Sequence, residues 1–146
     1  MTGFQFRLEK VLTWRRTELE LAETLFKRQS AMIAELDRKR AEWEAAGIAA
    51  ELQVRASESL DGSDLAALAA FRRHVRACEQ GLAAQRTEAG KELERMQQTM
   101  LEARRRCRLL ERLRERRLAE WQAETDRELE QIAADSYLAG MARRQT

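Results

Sequence analysis

The feature that most constrains the fold is a stretch of more than seventy residues, 65 to about 138, with no proline and only Gly81 and Gly90 as weak points. Apolar side chains recur along it at three- and four-residue steps: Leu68, Phe71, Val75, Cys78 and Leu82, then Ala89, Leu93, Met96, Met100, Ala103, Cys107 and Leu110. Residues at i, i+3, i+4 and i+7 stack on one face of an α-helix, so the pattern is a helical seam. From Gln85 to Ala89 to Leu93 two four-residue steps follow each other, a stutter that unwinds a coiled coil locally without ending it. At about 1.5 Å per residue the helix would measure on the order of 110 Å. That is too long for the buried helix of a compact domain, so another segment must cover the seam.

Composition agrees. Ala, Glu, Lys, Leu and Arg supply 90 of the 146 residues, proline is absent and aromatics are 5%. That balance marks long helices and coiled coils, and so few aromatics cannot fill a wide core. The net charge of +2 is too near neutrality to call for nucleic acid. Cys78 and Cys107 fall on the predicted seam and read as small buried hydrophobes in a reducing compartment. No stretch reaches the ~18 to 20 apolar residues of a membrane span. The first sixteen residues alternate charged and apolar types, unlike a secretory signal. The expectation is a soluble cytoplasmic protein.

The first half carries a stricter seam, alternating steps of four and three: Leu8, Leu12, Arg15, Leu19, Ala22, Phe26, Gln29, Ile33, Leu36, Arg40, Trp43, Gly47, Ala50 and Val54. Ten of these fourteen positions are apolar, as a coiled coil requires. Glu23 with Lys27, Glu35 with Lys39 and Glu51 with Arg55 place acid before base at i, i+4, the favourable order. Thr2 or Gly3 is positioned to cap this helix near Phe4. The one break is Ser57-Glu-Ser-Leu-Asp-Gly-Ser-Asp64, where Gly62 suits a positive-φ turn and Ser63 an N-cap. Two long seams with one short break predict an all-α fold, an antiparallel two-helix coiled-coil hairpin with a longer second helix. The expected bounds are about 4–57 for the first helix, 58–63 for the turn and about 64–138 for the second, forming a single elongated unit. Facing residues then have numbers adding to roughly 121, which pairs Trp43 with Cys78, Leu36 with Gln85, Phe26 with Met96, Leu19 with Ala103, Leu12 with Leu110 and Leu8 with Leu113.

Three features exceed a bare hairpin. Residues from about Leu118 onward have no expected partner, yet include Leu118, Trp121, Leu129, Ile132 and Tyr137. Val11, Trp14, Leu21, Leu25 and Met32 form a second apolar row on helix one. It is either the flank of a wide seam, packing on aliphatic parts of arginines, or a docking surface anchored by Trp14. Arg104, Arg108, Arg112 and Arg116 fall on one i+4 row that continues through Glu120, Glu124 and Glu128. This row is either a solvated face or one that meets complementary charge on a partner, since like charges at i, i+4 cost ~0.2 to 0.5 kcal/mol each.

Enzymatic chemistry is not expected. The sequence has no phosphate-binding glycine loop, no His/Cys metal cluster and no nucleophile motif, and the single histidine, His74, reads as an ordinary helix residue. No catalytic residue, cofactor or metal is assigned.

At the two ends the residues resemble a known family. Phe4-Gln-Phe6-Arg-Leu8-Glu-Lys-Val11-Leu12, followed by Arg15, Arg16 and Glu18, resembles the opening of the FliJ family of flagellar export proteins. Leu110-Glu-Arg-Leu-Arg-Glu-Arg-Arg-Leu118-Ala-Glu-Trp121, continuing to Glu130, resembles its C-terminal signature, with Trp121 where the family often has another aromatic. Length, the single hinge and the longer second helix agree. The resemblance implies a cytoplasmic, non-enzymatic component of the flagellar type III export apparatus, peripheral at the inner face of the cell membrane. Such a component is similar to the central stalk of rotary ATPases and couples the hexameric ring of the export ATPase FliI to the export gate FlhA, with export chaperones as further candidate partners. The injectisome stalk family YscO has the same architecture.

Under that resemblance the open end of the hairpin would meet the ATPase ring through Val11, Trp14, Arg104, Arg108, Arg112, Arg116, Leu118 and Trp121. The hinge-side half would meet the gate through Leu36, Arg40, Trp43, Phe71, Val75, Cys78 and Leu82, unless all of these are seam. Two other classes compete: a generic coiled-coil scaffold or homodimer, and a nucleic-acid binder suggested by the arginines from 104 to 117. Glu111 and Glu115 interrupt that basic run, and no clean basic block precedes a heptad array.

Overall fold

A chain without proline and rich in alanine, leucine and arginine loses little by becoming helical. The computed structural model describes residues 3–145 and contains two α-helices, α1 (Glu9–Ala56) and α2 (Gly62–Arg144), packed against each other. The fold is all-α, with no strand among the described residues.

The first helix ends at Ala56, close to the expected 57, but it starts later than expected, and α2 starts at Gly62 and continues to Arg144, past the expected 138. The first helix begins at Glu9, not near Phe4: Gly3 to Phe6 is non-helical, and the Glu9 N–H bonds the Phe6 carbonyl at 3.1 Å. Thr2 lies outside the described residues, and Gly3 caps nothing, because the chain enters the helix six residues later, at Glu9. At the turn, Gly62 has no positive φ and is already helical. Ser63 is not the cap either. That role belongs to Asp61, whose Oδ1 accepts from the Asp64 N–H at 2.9 Å and from the Ser63 hydroxyl at 2.8 Å. The Asp61 N–H in turn donates to Asp64 Oδ2 at 3.3 Å, so the two aspartates form a reciprocal capping box. The Asp64 N–H, then the Ser63 hydroxyl, hold the Asp61 carboxyl below its ordinary pKa. Aspartate outcompetes serine here because a carboxylate accepts two donors at once and also suits the positive end of the helix dipole.

The chain divides into two compact units. One comprises residues 20–101, the other residues 1–19 with 102–146.

In the unit 20–101 the buried side chains are Ala22, Gln29, Ile33, Val75, Ala89 and Met100, all drawn from the two predicted seams. Partner numbers fall along α2 as they rise along α1. The Gln29 amide donates to the Ala89 carbonyl at 3.1 Å, Arg86 meets Asp37 at 3.1 Å, and the His74 ring stands edge-on to Trp43 at 5.2 Å. Arg72 also pairs with Glu51. Leu36 and Gln85 line one hollow, as their pairing predicted. Two details differ. Gln85 is exposed while Arg86 is half-buried, so the consecutive four-residue steps run Cys78, Leu82, Arg86. The long aliphatic stem of Arg86 covers the seam while its guanidinium reaches Asp37. His74, which reads as an ordinary helix residue in the sequence, lies against Trp43 with its Nε2 3.7 Å from Cys78 Sγ.

In the other unit Leu12 is fully buried, and Ala103 and Cys107 are each 3% exposed. Interhelix ion pairs flank this core: Arg114 with Glu9 at 3.0 Å, Arg16 with Glu111 at 3.4 Å and Arg106 with Glu18 at 3.8 Å. Burial and the nearby Glu111 carboxylate raise the Cys107 thiol above its ordinary pKa, which keeps it protonated and unreactive. From residue 126 to residue 145 every residue is exposed.

Candidate partner-binding surfaces

A hollow in the unit 1–19/102–146 arises because α1 starts late. Residues Phe4 to Leu8 run along α2 and enclose a groove of about 740 Å³ with Leu113, Arg117, Glu120, Trp121 and Glu124. The Phe4 ring packs tilted on Trp121 with centroids 6.0 Å apart, and the Arg114 guanidinium lies 5.7 Å from the Phe4 ring. Both contacts are in the range where aromatic and cation–π attraction is felt. This corrects the expectation that residues from Leu118 onward have no partner. Leu118, Trp121 and Thr125 are half-buried, and the fully exposed part starts at residue 126. The signal was present as Phe4 and Phe6 at alternate positions, the period of an extended segment, but the seam beginning at Leu8 drew the helix boundary too far back.

The proposed ring-contact residues lie in this same unit. Trp14 is 58% and Val11 40% exposed, so both stand outside the two-helix packing, with the Arg15 guanidinium 4.5 Å over the Trp14 ring. Arg104 is half-buried, whereas Arg108, Arg112 and Arg116 are exposed. No hydrogen bond or ion pair of these three side chains occurs among the described residues. Arg106, Arg114 and Arg117, which the sequence did not single out, make the ion pairs instead. The reason is angular. An i+4 row drifts about 40° per step around a helix with 3.6 residues per turn, so Arg108, Arg112 and Arg116 turn away from α1. In the unit 20–101 the rest of the second apolar row, Leu21, Leu25 and Met32, is also exposed, at 60%, 38% and 50%.

The residues assigned to gate binding all lie in the unit 20–101. Val75 is buried; Leu36, Trp43, Phe71, Cys78 and Leu82 are half-buried; Arg40 alone is exposed. Phe71 borders a hollow of about 350 Å³ beside the turn, with Ala50, Gln53, Val54, Leu60 and Leu68. The seven are therefore mostly packing residues whose outer edges reach solvent.

Among the described residues no three His, Cys, Asp or Glu side chains cluster as metal ligands would, and no helix is long and apolar enough to cross a membrane. Compared with known protein families, curated proteins and solved structures, the chain gives no significant match to any.

Proposed function

We propose that the chain is a non-enzymatic stalk of the FliJ type, an antiparallel coiled-coil hairpin that links the ring of a type III export ATPase to its export gate. One observation carries this reading. The two stretches that resemble the family, 4–12 and 110–121, lie about a hundred residues apart in the chain yet pack on each other through Phe4 on Trp121 and Glu9 on Arg114. The hairpin brings both stretches to one place, as a single partner-binding surface made from them requires. Around that place the unit offers exposed Trp14 as an anchor and unpaired Arg108, Arg112 and Arg116 for an acidic partner surface. Opposite trends of partner numbers along α1 and α2 support the antiparallel arrangement.

The ATPase partner tests the reading. Hydrolysis by FliI-type rings should be stimulated by the intact chain and by a chain ending at residue 125, which keeps the Phe4–Trp121 contact. Ending the chain at Arg117, or replacing Trp14 by Ala, should reduce stimulation at least several-fold. Equal stimulation by all four helical proteins would reject the ring contact. For the gate, Phe71→Ala should weaken FlhA capture more than it lowers helicity. Equal losses would assign Phe71 to packing alone.

A further inference from the structure

The face of α2 opposite its seam belongs to none of the contacts described above. Arg105, Leu109, Arg112, Arg116, Ala119, Ala123, Asp126, Glu130, Ala133 and Tyr137 follow one another in strict steps of four and three, and all ten are exposed. All lie in the unit 1–19/102–146, on one uninterrupted helix. Such alternation is the signature of a helix seam, yet α1 packs against the other side. The row is basic in its first half and acidic in its second, with alanines between. No side chain of Arg105, Arg112, Arg116, Asp126 or Glu130 forms a hydrogen bond or ion pair among the described residues. Elsewhere on the helices, arginines commonly pair at i, i+3 or i, i+4, as Arg38, Arg55, Arg95 and Arg117 do.

We propose that this face binds the same face of a second copy, antiparallel, about a two-fold axis near Trp121. A two-fold interface must be self-complementary: if residue i of one copy meets residue j of the other, j must also meet i. Placed antiparallel about that point, the row satisfies this at every layer. Arg116 meets Asp126 of the second copy, Arg112 meets Glu130, and Arg105 meets the face of the Tyr137 ring. Leu109 covers Ala133. Ala119 opposes Ala123 at the crossing, where small side chains let the helices approach. Each layer occurs twice, and charges left unpaired in one copy find opposite charges in the other. The contact runs along about 50 Å of helix. It includes Arg112 and Arg116, so a dimer formed this way hides part of the surface proposed for the ATPase ring. The inference concerns a second copy of this chain and stands whether or not the stalk reading does.

Charge reversal with rescue tests it on the full chain. Sedimentation equilibrium at tens of micromolar protein should give a mass near twice 17.0 kDa in low salt and move toward 17.0 kDa in high salt. Arg112→Glu with Arg116→Glu makes the row acidic throughout; Asp126→Arg with Glu130→Arg makes it basic throughout. Each variant alone should weaken dimerisation at least tenfold, and an equimolar mixture of the two should restore it as a heterodimer. Circular dichroism should show unchanged helicity, since these positions do not face α1. Ala119→Arg with Ala123→Arg, which crowds the crossing, should also give a monomer and serves if a reversal variant misfolds. A monomeric wild type in low salt, reversal variants that still dimerise, or a mixture that stays monomeric would each overturn the proposal.

Discussion

Gln29 is the one buried polar side chain among the described residues, 9% exposed, with its amide donating to the Ala89 carbonyl at 3.1 Å. Replacing it by Leu and by Ala separates its contribution to stability from its contribution to register. Ala89 lies inside α2, so its carbonyl keeps its intrahelical partner when Gln29 is lost and no orphan acceptor remains. Gln29→Leu gives up one hydrogen bond, about 1 kcal/mol net, and gains two buried carbons at about 0.8 kcal/mol each. The variant should be more stable than the parent by about 0.5 kcal/mol. Gln29→Ala loses the same bond and a buried methylene and gains nothing, so it should be less stable by about 2 kcal/mol. Urea unfolding followed by circular dichroism would rank Leu above Gln above Ala, with a gap of about 2.5 kcal/mol between the variants. A Leu variant less stable than the parent by more than about 0.5 kcal/mol would refute the reasoning, because the Gln29–Ala89 bond would then exceed the ordinary net value of a neutral hydrogen bond.

Other outcomes follow from the same contacts. Leu12→Ala, at a fully buried position, should cost about 3 kcal/mol, whereas Leu21→Ala, 60% exposed, should stay within about 0.5 kcal/mol in urea unfolding. Gly47→Ala should stabilise by about 0.5 to 1 kcal/mol, since the added methyl would sit 3.5 Å from Val75 Cγ1, an ordinary contact inside a helix, and thermal unfolding would read it. The folded chain lowers the Asp61 pKa, so the cap's contribution is complete above about pH 4 and is lost as pH falls through the lowered value. The melting-temperature deficit of Asp61→Ala should therefore be present at neutral pH and disappear in strong acid; a deficit constant with pH would show that the carboxylate charge is not involved. In the native protein iodoacetamide should label half-buried Cys78 well before buried Cys107, read by mass spectrometry of the two peptides.

The two seams were legible because apolar spacing is dictated by helix geometry: Leu12, Ile33, Val75, Ala89 and Ala103 are buried where the periodicity put them. The ends were less legible. Phe4 and Phe6 continue an apolar pattern that a helix could also use, and only their packing on α2 decides for the extended form. At the turn, Asp61, Ser63 and Asp64 are all good caps by residue type, and the choice depends on which carboxylate collects two donors. The arginine row was visible as a row, but not which arginines reach α1. That depends on angular drift around the helix, so Arg106 and Arg114 were overlooked.

Beyond Thr125 the second helix has backbone hydrogen bonds but no burial to reinforce them. A helical segment of about twenty residues that buries no side chain is close to balance between helix and coil and exchanges between them within about a microsecond. Amide hydrogen exchange should therefore be graded along a single helix, slow around Cys107 and fast from Asp126 onward. Anything that grips residues 126–145 has to select or induce their helical form, so its affinity should fall on warming more steeply than contact area alone would predict.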